Sequence, residues 1–224
     1  MTALMVIPKP SREAVAHHEA GHVVAAIAVG ASIADATIAP TADALGRVRR
    51  SRILGGMEFH AQDVESGDAL RRWRGRAACL NEARFAVAGP IAEGIYTGSP
   101  WWRPWSAAVF LRARAERPHP VSFGDDVLGT VRALEIAAEG TMAFLGYQNR
   151  VGREMRAFLA DRWRIVEDVA ALLLREETVD GDTVEESVWE SAERHGLDMF
   201  PESIVAPWWK MPRAAAAAGE QVTP

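Results

Sequence analysis

The sequence predicts a mainly helical fold with a small β-hairpin or sheet after the first helix, and three observations carry that expectation. Apolar residues recur at helical spacing over most of the chain, most plainly from Asp68 to Tyr96, Asp125 to Leu145 and Arg150 to Glu177. A single stretch, SIADATIAPTADALGRVRRSRIL, alternates apolar and other residues about a Pro/Asp/Gly-containing turn instead. The 224 residues, 49% of them hydrophobic, are enough for one compact domain of ordinary size.

In chain order, Pro8 and Pro10 close a short arm over residues 1–10, and Ser11 is the N-cap of a helix that runs to about Gly30. The alternating stretch follows as a hairpin or two short antiparallel strands, then a polar loop to about Gly67. In the helical run from Asp68 to Tyr96, Pro90 marks a kink or a break between two helices. Residues 99–121 form a Trp/Pro-rich insertion holding Trp101, Trp102 and Trp105, either an ordered connection packed on the core or a lid or docking patch. After the two long helical runs, a turn at Asp180-Gly181 leads into a last helix from about Thr183 to Arg194. The domain thus spans residues 11–195, and residues 196–224 form a C-terminal tail.

Composition narrows the function. A formal net charge of -5 gives no basic footprint for nucleic acid. Cys79 is the only cysteine, so neither a disulfide framework nor a cysteine zinc site is available. That usage fits a reducing, cytoplasmic setting, and no leader-like N-terminus or apolar run of about 18 residues argues otherwise. No G-x-x-x-x-G-K-[ST] occurs, so these residues hold no recognisable ATPase module.

The chemistry concentrates in AVAHHEAGHVVAAIAVG, Ala14 to Gly30, where histidines and a glutamate interrupt an apolar helix. Burying such groups costs several kcal/mol unless each finds a partner. His18 and His22 stand four residues apart, so their rings share one helix face, with Glu19 on its flank. This H-E-x-x-H spacing suits two imidazoles on Zn²⁺ and a glutamate reaching a water on the metal. Gly21, a weak helix former at mid-helix, suggests a close approach by another backbone or a substrate. The alternative is an amphipathic helix whose histidines are satisfied by ordinary hydrogen bonds.

A catalytic zinc site needs a third protein ligand. His60, His119 and His195 lack supporting context, and Glu93 in AGPIAEG sits on a helical stretch that could face the first helix. In SFGDDVLGTVRAL, Asp125 and Asp126 open a helix. Asp125 fits an N-cap or capping-box role, which leaves Asp126 without one, and both also complement the helix dipole.

Taken in order, five segments resemble the peptidase domain of the FtsH-type AAA+ zinc metalloprotease family. They are HEAGH at His18–His22, ADATIAP with Ala44-Leu45-Gly46, AGPIAEG, SFGDDVL and LLLREETVDGDTV. Pro90 and Gly94 depart from an arginine and a glutamate of the family pattern, and the Trp/Pro segment has no counterpart in it. The resemblance implies a helical zinc-metallopeptidase domain in which His18, His22 and Asp126 bind Zn²⁺ and Glu19 activates the zinc-bound water. It also implies that the strand around Ala36 to Pro40 holds an extended peptide by strand addition. The expected function is hydrolysis of flexible or unfolded polypeptides without an ATPase of its own, with a homo-oligomer or a separate partner protein left open. The competing reading is a non-proteolytic zinc-binding scaffold or interaction protein, with the tryptophan segment as its docking surface.

Overall fold

Ser11 opens the first helix as the sequence predicts, its hydroxyl accepting the Ala14 N–H at 3.1 Å. The computed structural model of the protein describes residues 10–41, 44–51, 57–99 and 125–200. The elements run α1 (Arg12–Ala28), β1 (Ile33–Thr37), β2 (Arg47–Arg50), α2 (Met57–Val64), α3 (Ala69–Thr97), α4 (Asp125–Ala137), α5 (Thr141–Asp161), α6 (Trp163–Glu176), β3 (Thr178–Asp180) and α7 (Gly181–His195). The fold is therefore mainly helical with a three-stranded antiparallel sheet of order β2-β1-β3. Among the described residues no helix is long and apolar enough to cross a membrane.

At the centre lies α1, packed against α3 and α6, and in contact with β1 and β2 of the sheet. Its residues from Ala20 to Ala28 are all buried, which explains why so apolar a helix carries small side chains: neighbouring helices come close. Gly21 marks the closest approach. A Cβ there would lie 2.6 Å from Ala92 Cβ and 2.7 Å from the Ala88 carbonyl oxygen. Gly21→Ala forces two packed backbones apart, so it is expected to cost about 1–3 kcal/mol and lower the melting temperature measured by circular dichroism.

Several sequence expectations are corrected. Pro90 does not break the run into two helices: α3 is one helix of 29 residues with Pro90 inside it. Pro90 cannot donate to the Ala86 carbonyl, but the surrounding turns, with Ala83, Val87, Ala88, Ile91 and Ala92 buried, are held by packing. The stretch read as a polar loop before Gly67 contains α2. The two long helical runs are three helices. The first break falls at Gly140, whose φ of 88° suits glycine, and the second at Arg162, whose buried guanidinium donates to the Asp198 carbonyl.

The predicted strand pair is present, with Thr37 opposite Arg47, Ala36 opposite Val48 and Asp35 opposite Arg49. A third strand, β3, adds to the other edge of β1, with Thr37 opposite Thr178 and Asp35 opposite Asp180. Consequently Ala36 and Thr37 are paired on both sides. The strand at Ala36 to Pro40 is not an open edge, and a substrate cannot add there as the resemblance implied; β2 is the outer strand on the site's side. The last helix starts at the predicted turn, because the Asp180 carboxylate accepts from the Thr183 N–H at 3.0 Å and its hydroxyl at 2.7 Å. These bonds hold the Asp180 carboxyl below its usual pKa. Its stabilising effect is therefore present above the unfolded value and lost as pH falls through the folded one. Residues 100–121 of the Trp/Pro segment and the tail from 201 lie outside the described residues.

Candidate metal centre

Three histidines leave α1, and they do different things. His17 is a core residue: its Nδ1 donates to the Glu13 carbonyl at 2.8 Å, and its ring stacks on Tyr96 with centroids 3.9 Å apart. Trp163 stacks with the same ring at 5.6 Å. His18 and His22, one turn apart, meet α3 at Glu93 and Phe85.

The hydrogen bonds of these two rings define their chemistry. His22 Nδ1 lies 2.8 Å from the Phe85 carbonyl oxygen, which can only accept, so Nδ1 carries the hydrogen. His18 Nδ1 lies 2.9 Å from Glu93 Oε2, which as a carboxylate also accepts. In the neutral form of each ring these bonds select the Nδ1–H tautomer, which places the lone pair on Nε2. The two Nε2 atoms stand 3.2 Å apart. That distance lets the two nitrogens share a proton or a cation. A back-side carboxylate or carbonyl on Nδ1 with Nε2 directed at a common point is how proteins prepare histidines to bind metal.

The surroundings leave room for this convergence at one backbone position. A Cβ on Gly89 would fall 2.3 Å from His22 Nε2 and 2.6 Å from His18 Nε2, so α3 can face the imidazoles only because residue 89 has no side chain. Gly46 stands in the same relation to Glu19: a Cβ there would lie 2.5 Å from Oε1. Glu19 itself is 5% exposed and borders the cleft. The cleft measures about 530 Å³ and is lined by His18, Glu19, His22 and Glu93, with Val48 and Phe85 among its apolar walls. The donor set, two pre-oriented imidazole nitrogens beside a carboxylate, fits Zn²⁺.

The remaining candidates sort by position. Glu93 faces the first helix, but on the Nδ1 side of His18, so it orients the ring and does not share the Nε2 side with it. Asp126 lies in the first turn of α4, and its side chain and that of Asp125 lie outside the described residues. One turn on, Gly129 packs at Ala86, beside Phe85, so α4 meets α3 near the two histidines. The described residues hold no group of three or more His, Cys, Asp or Glu side chains in metal-binding geometry. His195 lies 3.5 Å from Asp168, which joins α6 to α7, and the His60 and His119 side chains are outside the described residues. Cys79 is buried in α3 with its thiol pushed up to about 12, chiefly by burial.

Sequence reasoning picked out His18, Glu19 and His22. It named Glu93 as able to face the first helix, but as a possible ligand and not as the group that orients His18, and it missed the Phe85 carbonyl. The Phe85 carbonyl has no signature, since any residue supplies one. Glu93 had a signal: a carboxylate on a mostly apolar helix face. Removing it gives a test. Glu93→Ala is expected to weaken zinc binding about 10- to 100-fold in a competitive chelator titration, with the fold unchanged.

No family model matches the chain, and no curated protein matches it either.

Proposed function

We propose that this chain is a zinc metallopeptidase of the FtsH-type peptidase class, acting on flexible or unfolded polypeptides. The observation that carries the reading is the pair of imidazoles held by Glu93 and the Phe85 carbonyl with Nε2 atoms 3.2 Å apart, next to Glu19 in a cleft. His18 and His22 would hold the ion, with Asp126 as the third ligand that the motif order suggests. When bound, Zn²⁺ supplies Lewis acidity, bringing a water's pKa to about 7 and polarising a carbonyl.

The chain's own residues supply the rest. The Glu19 carboxylate takes a proton from the water that attacks the peptide carbonyl and delivers it to the departing amine. Burial of Glu19 against Gly46 fixes its position, so no reorganisation is needed when the proton moves. Glu93 and the Phe85 carbonyl keep both rings in one tautomer throughout. Val48 and Phe85 give the cleft an apolar wall beside these groups.

The test is hydrolysis of a quenched-fluorescence unfolded polypeptide, with and without chelator. The expected result is cleavage that chelator abolishes and added zinc restores. Zinc content near one per chain with no hydrolysis of any polypeptide would favour the scaffold reading instead.

A further inference from the structure

The sheet beside the cleft has one buried face and one polar face. Ala36, Val48 and Val179 share a face, and Ala36 and Val179 are buried in the core. By the alternation of strands, Asp35 and Thr37, Arg47 and Arg49, Thr178 and Asp180 occupy the other. On that face there are two carboxylates and two guanidinium groups, but only one carboxylate reaches them. The Asp180 carboxylate is turned to the backbone and hydroxyl of Thr183. Thr37 and Thr178 bond each other through their hydroxyls at 2.7 Å. Asp35 is left as one carboxylate facing two guanidinium groups. It bonds Arg49 directly, with Arg49 Nε 2.7 Å from Oδ2, while Arg47 stays 3.8 Å away. The side chains of Arg47 and Arg49 are 57% and 62% exposed. Among the described residues no strand pairs with the outer edge of β2, and Arg47 also lines the cleft.

We infer that β2 selects extended polypeptides with acidic residues at alternate positions, read by Arg47 and Arg49 as the segment pairs along the strand edge. The inference rests on the peptidase reading for what happens next, since the same segment would run past His18 and Glu19. Pairing along β2 puts every second side chain of the guest on the arginine face, and the intervening ones on the face of Val48. Acidic residues at the first set meet the exposed guanidinium groups of Arg47 and Arg49, and lysines there meet like charge. The intervening positions favour apolar side chains.

The experiment compares two unfolded peptides that differ only at two alternate positions, Glu in one and Lys in the other. Two readouts are used: kcat/KM with the zinc-loaded protein, and binding of fluorescent versions to chelator-treated protein by anisotropy. The Glu peptide is expected to be favoured roughly 3- to 30-fold in both, less at high salt. The doubly neutral Arg47→Gln, Arg49→Gln variant should lose the preference, and Arg47→Glu, Arg49→Glu should reverse it. Both sites are exposed, and circular dichroism verifies that the variants fold. Hydrolysis of both peptides at equal rates would overturn the inference and leave the peptidase reading standing. Preferential binding without hydrolysis would support β2 as the selecting edge and count against the peptidase. Failure to bind or cleave either peptide would overturn both.

Discussion

Glu19→Gln is expected to leave zinc content near that of the parent and to cut polypeptide hydrolysis by about 10² to 10⁴-fold. The substitution keeps the size of the side chain and its capacity for hydrogen bonds. It removes only the ability to take a proton. Glu19 lies almost wholly buried with Gly46 against it, so a glutamine of the same shape fits without displacing the histidines. The measurements are zinc per chain by mass spectrometry and the initial rate on an unfolded substrate. A variant as fast as its parent means that Glu19 is not the base. A variant that has lost zinc means that Glu19 belongs to the coordination or to the packing beneath it.

Gly89→Ala is expected to abolish zinc binding while leaving most of the fold intact. Its Cβ would occupy the space in which His18 and His22 direct their Nε2 atoms. The atoms in the way are the ends of imidazole rings, which can rotate aside, so the cost falls on the site more than on the helices. Gly21→Ala is the useful contrast: there the obstruction is the Ala88 backbone and Ala92, which cannot rotate aside. The pair separates metal geometry from helix packing. Gly89→Ala should lose zinc with a small change in apoprotein melting temperature, and Gly21→Ala should lower that temperature markedly. If Gly89→Ala binds zinc like the parent, the ion does not sit where the two rings converge.

The legible parts of this fold were those set by local chemistry. Ser11 and Asp180 cap helices because a short oxygen side chain beside a helix start needs nothing from elsewhere in the chain. The hairpin of β1 and β2 followed from alternation around a turn. Pro90 misled as a break because a proline is penalised locally, whereas α3 is held continuous through it by burial against α1. The third strand was invisible for a related reason. Thr178 to Asp180 is three residues long, too short for a pattern, and exists because the Glu177 carbonyl accepts from the Ile38 N–H at 2.9 Å. That long-range pairing is also what makes β1 central and hands the open edge to β2. At the site, H-E-x-x-H announced the imidazoles and the carboxylate. The second layer, Glu93 and the Phe85 carbonyl, depends on how α1 lies across α3, which spacing within one segment cannot encode.

His18 and His22 are proposed to hold a metal ion together through Nε2. Zinc K-edge absorption of the purified protein, paired with zinc content of His22→Ala, tests it most directly. About one zinc per chain is expected, coordinated by two imidazole nitrogens with oxygen and no sulfur, with near-complete loss in His22→Ala. Sulfur in the first shell, or full zinc occupancy in His22→Ala, would contradict it.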